Sequence, residues 1–292
     1  MKRRLALATG VELDVWFAGD PSLPPILFLH GFPESHRTWR HQMAGLSDRF
    51  WCIAPDQRGY ARSSKPEGVE HYTVPKLIAD VFALADALGI DRFTLVGHDW
   101  GGAIAWAVAL KDQRRVERLI QVNAAHPYVF QRTLIFDAEQ RAASQYIVEF
   151  RDRDIEGEVA EKGVDWFFDD RFGGDRHGLT LSAADRAAYL DEWSQPGAIR
   201  AMLDWYRASP MQVPAMDAPA VSMPFLERPF PKLTMPVLVV WGMKDPALLP
   251  CQLDGLDAHI KDLSIVRIPD AGHFAPWEAP EPVNVAIRGW LG

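Results

Sequence analysis

The stretch Phe93-Thr-Leu-Val-Gly97-His98-Asp99-Trp100-Gly101-Gly102 decides how the rest of the chain is read. Phe93 to Gly97 is a continuous apolar run of the kind that buried parallel strands use. Gly101 to Leu110 follows as a helix of small residues able to press closely on a sheet. The join between them has the form small-x-nucleophile-x-small. Gly97 and Gly101 permit a sharp turn, which thrusts its central residue up at the helix N-terminus. Serine is the usual occupant; here it is Asp99. A carboxylate suits the place, because free backbone N–H groups and the helix dipole favour an anion. The plainer reading, an Asp that only caps the helix, leaves the glycines on both sides unexplained.

Outward from this turn, short apolar runs alternate with helical patterns. Val11 to Phe17 alternates like a half-exposed strand, while Pro25 to His30 and Phe50 to Pro55 read as buried strands. Leu77, Val81, Leu84 and Leu88 share one face of a helix that begins near Pro75 and stops at Gly89. Leu119 to Val122 is the next strand. Such alternation predicts an α/β fold with a mostly parallel central sheet flanked by helices. From His126 to about Pro231 the pattern stops. Arg141–Phe150, Ala183–Trp193 and Ala198–Arg207 fit helices, and the five prolines between Val213 and Pro231 mark an irregular connection. Strands resume at Met235–Trp241 and Leu263–Ile268. The expected organisation is therefore a core of 1–125 and 232–292, interrupted by a helical cap of 126–231.

The 292 residues carry a formal net charge of −8 with no long run of Lys or Arg, which argues against a nucleic-acid partner. Eleven Trp and fifteen Phe suit an apolar pocket. The two cysteines are too few for a disulfide framework; Cys52 lies in an apolar run that predicts a buried thiol, and Cys251 stands alone. No Cys/His cluster has zinc spacing. Lys2-Arg3-Arg4 imitates the start of a signal peptide, but Leu5-Ala6-Leu7-Ala8 is too short an apolar run to continue one. With no apolar stretch long enough to span a membrane, a cytoplasmic location is expected, with no membrane partner.

Two further motifs complete the chemistry. His30-Gly31-Phe32-Pro33-Glu34-Ser35 follows a strand and can aim the Phe32 N–H at the nucleophile, where it pairs with the Trp100 N–H as an oxyanion hole; His30 itself reads as structural. Pro269-Asp270-Ala271-Gly272-His273-Phe274 follows the last strand, giving the chain order nucleophile, acid, histidine. Asp245, ending Trp241-Gly-Met-Lys-Asp245, is the preferred acid; Asp270 sits too close to His273 in sequence, and Asn123 carries no charge. An aspartate nucleophile selects the reaction class. A carboxylate displaces a leaving group from saturated carbon and leaves an alkyl ester, which His273 then hydrolyses by activating water. The leaving group is an epoxide oxygen or a halide. Side chains and water suffice, so neither cofactor nor metal is expected.

Over nearly its whole length the chain resembles the α/β-hydrolase-fold epoxide hydrolases and, more distantly, the dehalogenases. The resemblance rests on His30-Gly-Phe-Pro-Glu-Ser35, Asp56-Gln-Arg-Gly-Tyr-Ala-Arg-Ser-Ser-Lys-Pro66, Gly97-His-Asp-Trp-Gly-Gly102, Trp241-Gly-Met-Lys-Asp245 and Asp270-Ala-Gly-His273, in that order. It implies an α/β-hydrolase fold, an apolar epoxide as substrate, and two lid tyrosines that hydrogen-bond the epoxide oxygen. Tyr146, in Ser144-Gln-Tyr-Ile-Val-Glu-Phe150, and Tyr206, in Asp204-Trp-Tyr-Arg207, match those positions; Asp204 replaces the asparagine usual there. Trp100 also resembles a halide ligand of haloalkane dehalogenases, so dehalogenation is the alternative. Against it, Gly101 to Ala105 lacks the arginines by which haloacetate dehalogenases grip substrate, and no His-Trp pair stands in the lid. A non-catalytic ligand-binding member of the fold is a third reading, disfavoured by the complete set of chemical groups. Trp100, Trp205 and Phe274 are expected to contact substrate, and Trp166, Phe167, Phe168 and Trp193 are further candidates for the pocket wall.

Overall fold

The computed structural model describes residues 1–171 and 181–292. Its strands are β1 (Lys2–Ala6), β2 (Glu12–Ala18), β3 (Pro25–Leu29), β4 (Trp51–Pro55), β5 (Phe93–His98), β6 (Val116–Val122), β7 (Leu233–Gly242) and β8 (Ile260–Ile268). They form one sheet in the order β1-β2-β4-β3-β5-β6-β7-β8. β2 pairs antiparallel with both β1 and β4, and every other pairing is parallel.

Both faces of the parallel strands are covered, which is why their sequences are continuously apolar rather than alternating. Leu27 and Leu95 join one core cluster, whereas Ile26, Phe28 and Val96, pointing the other way, join the second. From β3 the chain moves to β4 on one side, then returns as β5 on the other side of β3. The carboxyl ends of β3 and β5 thus flank the crevice where the winding direction reverses, the place where such sheets bind ligands.

β1 is the element that the sequence reading lacked. Its apolar content is slight, and it is held at the sheet edge by partners from β2: Lys2 to Asp14 at 2.6 Å, Arg4 to Glu12 at 2.9 Å and Arg4 to Asp14 at 3.1 Å. Between β6 and β7 the described residues form helices and no strand, the longest being Pro127–Phe136, Ala183–Trp193 and Ala198–Ala208. Residues 172–180 of the expected cap lie outside the described residues. The single helix expected over Arg141–Phe150 is instead two, Ala138–Ala143 and Tyr146–Asp152. The break falls at Ser144, whose hydroxyl accepts from the Gln140 side chain at 2.9 Å, while Gln140 also donates to the Ala247 carbonyl at 2.8 Å. Gln140 thus ties the first helix to the loop beyond β7, and Tyr146 starts a new helix.

The helix Ala198–Ala208 docks on the loop after β4. Trp205 Nε1 donates to the Arg58 carbonyl at 3.0 Å. Arg58 is itself fixed by two 2.7 Å bonds to the buried Asp80 carboxylate and one of 2.9 Å to the His71 carbonyl. Paired in both directions, this buried charge is satisfied rather than stranded. No helix among the described residues is long and apolar enough to cross a membrane.

The helix Asp99–Lys111 packs so closely on β3 that a Cβ on Gly101 would lie 2.2 Å from the Leu29 carbonyl oxygen and 2.4 Å from that of His30. Backbone cannot yield cheaply, so Gly101→Ala is expected to lower stability by about 2–3 kcal/mol. By contrast, a Cβ on Gly289, in the helix Pro280–Leu291, would meet nothing within 4 Å. Gly289→Ala is expected to raise stability by about 0.5–1 kcal/mol by removing backbone freedom from the unfolded chain. Urea unfolding midpoints of the two variants, moving in opposite directions, check both.

Candidate active site

Every group of the site stands at the carboxyl end of a parallel strand or on the helices that face those ends. Asp99 follows β5 with φ of 49°, a left-handed conformation that costs a non-glycine residue roughly 1–2 kcal/mol. The strain carries its carboxylate across to the loop after β3, where Phe32 N donates to Asp99 Oδ1 at 2.7 Å. Only a glycine fits at position 31, since a Cβ there would sit 2.4 Å from Asp99 Oδ1. Burial alone would raise the Asp99 carboxyl. The hydrogen bond and charge of His273, the charge of His98 and the Trp100 backbone amide outweigh it and hold Asp99 below the usual carboxylate range.

His273 follows β8. Its Nε2 stands 3.6 Å from Asp99 Oδ2, and its Nδ1 lies 2.8 Å from Asp245 Oδ2. Asp245 follows β7 and is fully engaged: Oδ2 also accepts from Asn123 Nδ2 at 2.8 Å, and Oδ1 accepts from the Ala247 and Leu248 amides, each at 2.8 Å. Burial pulls the His273 pKa down, but the Asp245 carboxylate, and then Asp99, push it well above the ordinary value. Asp270, the rejected acid, is exposed and pairs with Lys244 at 2.8 Å.

Two residues have a supporting role that the sequence did not reveal: Asn123, weighed there only as a candidate acid, and Glu278. Asn123, at the end of β6, bonds Asp245 and also takes the Gly242 N–H at 2.8 Å, so it locks the acid's orientation. Its place at the end of the strand beside β7 was the available signal. Glu278 accepts from the Gly272 and Phe274 amides on either side of His273, clamping that loop; nothing in the local pattern distinguishes it from a helix-start carboxylate. Beneath His273 lie Glu34 and His98, wholly buried, with Glu34 Oε2 at 3.4 Å from His98 Nε2. Desolvation pushes Glu34 up to about 8 and His98 down to about 4, so near neutral pH this contact joins two uncharged groups rather than an ion pair.

Above Asp99 is a cavity in two lobes. The larger, about 320 Å³, is walled by Phe32, Phe150, Tyr146, Tyr206, Phe274 and His273 among others. The smaller, about 40 Å³, lies between Trp100, Phe130, Ile147 and Met211. Asp99, Tyr146 and Tyr206 line both. Burial, reinforced by the nearby Asp99 charge, raises both phenols above their ordinary value, so they remain O–H donors. The two rings meet edge to face at 6.1 Å between centroids.

Of the aromatic residues expected to touch substrate, Phe274 lines the larger lobe and Trp100 the smaller. Trp205 does neither: its indole is turned to the Arg58 carbonyl, packed on Tyr60 and on the far side of Trp100. Trp166, Phe167, Phe168 and Trp193 also lie outside both lobes; Phe167, Phe168 and Trp193 pack with one another, and Trp193 Nε1 donates to the Pro33 carbonyl at 2.8 Å. Among the described residues, no group of three His, Cys, Asp or Glu side chains is arranged to hold a metal ion. What the site offers is a carboxylate held anionic, a histidine beside it, a backbone donor at one carboxylate oxygen and two phenols lining the same cavity.

The sequence matches the family described as alpha/beta hydrolase fold over residues 24–280. It is 33% identical to the AB hydrolase superfamily protein YfhM of Bacillus subtilis strain 168, over all of this chain and 98% of that protein. Among solved structures, one described as belonging to novel epoxide hydrolases from metagenomes of hot environments is 51% identical, with a TM-score of 0.94 over 100% of this chain and 98% of that one. An epoxide hydrolase mutant from Bacillus megaterium, complexed with its naphthyloxy-propane-1,2-diol product, is 30% identical with a TM-score of 0.87 over 99% of each chain.

The Asp99 carboxylate is one of the groups that hold His273 protonated. Neutralising it in Asp99→Asn is expected to lower the His273 pKa, and Asp245→Asn to lower it further, since the Asp245 contribution is the larger. NMR titration of the His273 ring carbon in the three proteins measures this; an unchanged pKa in Asp99→Asn contradicts the coupling.

Proposed function

The chain belongs to the α/β-hydrolase fold family, and within it we propose that the protein is an epoxide hydrolase, converting an epoxide and water to a vicinal diol through an alkyl ester on Asp99. One observation carries the reading: the Asp99 carboxylate and two phenols, Tyr146 and Tyr206, line the same cavity. The diol-bound relative supports it, as do the epoxide hydrolases of Caenorhabditis elegans and mouse that this chain resembles at 29% identity.

In the first half-reaction Asp99 Oδ2 attacks a ring carbon while the carbon–oxygen bond breaks. The departing oxygen takes a proton from one phenol and a hydrogen bond from the other, so no free alkoxide forms. Phe32 N, already on Oδ1, keeps the other oxygen fixed and leaves Oδ2 as the attacking atom. In the second half-reaction His273, steadied by Asp245, removes a proton from water. The hydroxide adds to the ester carbonyl, and its oxyanion rests on the Phe32 and Trp100 amides. Collapse expels the diol oxygen, which takes the proton held by His273, and the Asp99 carboxyl that results passes its own proton to His273. The phenolate left by ring opening takes the proton that His273 sheds once Asp99 is esterified, so that every group returns to its starting state.

The charge on Asp99 also times the two steps. While anionic, it helps to hold His273 protonated; esterification removes that charge, so the His273 pKa falls and the ring becomes a base when water must be activated. The helical segment 126–231 acts as a cap that supplies the phenols and closes the apolar wall.

Styrene oxide and an aliphatic epoxide, set against 1-bromobutane and fluoroacetate, are expected to give diol without halide release. His273→Gln should accumulate a covalent adduct on Asp99 by mass spectrometry, and Tyr146→Phe or Tyr206→Phe should each slow adduct formation by about a hundredfold. Halide release without diol would move the reading to dehalogenation.

A further inference from the structure

We infer that Arg151 is a positioning residue for the phenol pair. It cross-ties the helix that carries Tyr146 to the helix that carries Tyr206 and so sets the spacing of their hydroxyls. The inference rests on the epoxide-opening role of those tyrosines.

Tyr146 and Arg151 occupy the two ends of the helix Tyr146–Asp152. From there the guanidinium reaches the end of the helix Ala198–Ala208. Its Nε donates to the carbonyl of Tyr206 itself at 2.9 Å, and its two terminal nitrogens donate to Met211 O at 2.8 Å and Ser209 O at 3.3 Å. The last carbonyls of a helix lack partners within it and carry its negative end, so a cation there is both bonded and electrostatically favoured. A planar fork with several donors in fixed directions also transmits orientation, which a single ammonium does not. Phe150 lies between, its ring 4.8 Å from that of Tyr206 and 5.6 Å from that of Tyr146.

The two helices have separate anchors on the core. That of Tyr206 is held by Trp205 on the Arg58 carbonyl, and the segment leading to Tyr146 by Gln140 on the loop after β7. Two phenols must converge on one oxygen, so an error in either anchor appears as an error in their spacing. Arg151 removes that freedom by bonding the backbone of one tyrosine from the helix of the other. None of its bonds reaches Asp99, His273 or Asp245, so its influence belongs to the ring-opening step alone.

Single-turnover kinetics on styrene oxide resolve the two half-reactions. Arg151→Met should slow formation of the Asp99 ester on the order of tenfold to a hundredfold, leave hydrolysis of that ester unchanged, and lose most of its effect when added to Tyr206→Phe. Arg151→Lys, which keeps the charge but not the fork, should recover part of the rate; it also serves as the probe if Arg151→Met fails to fold. Equal slowing of both half-reactions, or a full multiplicative effect on the Tyr206→Phe background, would mean a general structural role and overturn the inference. So would an unchanged rate in Arg151→Met where Tyr206→Phe is slow. If Tyr146→Phe and Tyr206→Phe both open the epoxide at the normal rate, the epoxide reading itself fails, and this inference with it.

Discussion

The 2.7 Å hydrogen bond from Phe32 N to Asp99 Oδ1 joins the ends of two neighbouring parallel strands, and much of the molecule is arranged to permit it. It requires Asp99 to adopt a left-handed conformation, Gly31 to present bare backbone to the carboxylate, and Gly101 to let the following helix lie against β3. Each requirement is local, yet all are met only because β3 and β5 are adjacent in the sheet while distant in sequence. The sheet order thus creates the place where a strained carboxylate is held by a backbone donor.

Around that point the site is built in two layers of different character. The core supplies charge: Asp99 and Asp245 flank one imidazole, with Asn123 and two loop amides saturating the rear carboxylate. Because Asp245 has no unused acceptor directed elsewhere, its orientation follows from backbone rather than from chance contacts. The inserted helices supply neutral donors and apolar wall. Their attachment relies on backbone carbonyls of the core: Arg58 receives Trp205, and Pro33 receives Trp193. Indole suits this use, burying a large apolar surface while its one N–H fixes a direction.

The elbow was legible in the sequence because its requirements are met by adjacent residues: a strand, two glycines and an acidic residue within one turn. His273 and Asp245 could be read from chain order after strands whose apolar runs were plain. Tyr146 and Tyr206 were accessible only through resemblance, since periodicity places a tyrosine on a helix without saying what it faces. Trp205 shows that limit. Neighbouring residues on a helix point about 100° apart, and Tyr206 took the cavity while Trp205 took the core. β1 escaped notice because its partners lie in β2 rather than in its own composition, and the break at Ser144 because its cause, Gln140 reaching the loop after β7, is a tertiary contact.

The unequal lobes over Asp99 have a geometric consequence. On the proposed epoxide reading, a ring bearing a single substituent has room for that group on the side of about 320 Å³ and for its unsubstituted edge on the side of about 40 Å³. On the same reading, the phenols fix where the oxygen points and Asp99 fixes the line of approach, so three directions in space are assigned to three different parts of the substrate. An object described by three unlike directions is distinguishable from its reflection. On that reading a racemic epoxide meets, in this one cavity, two different activation barriers.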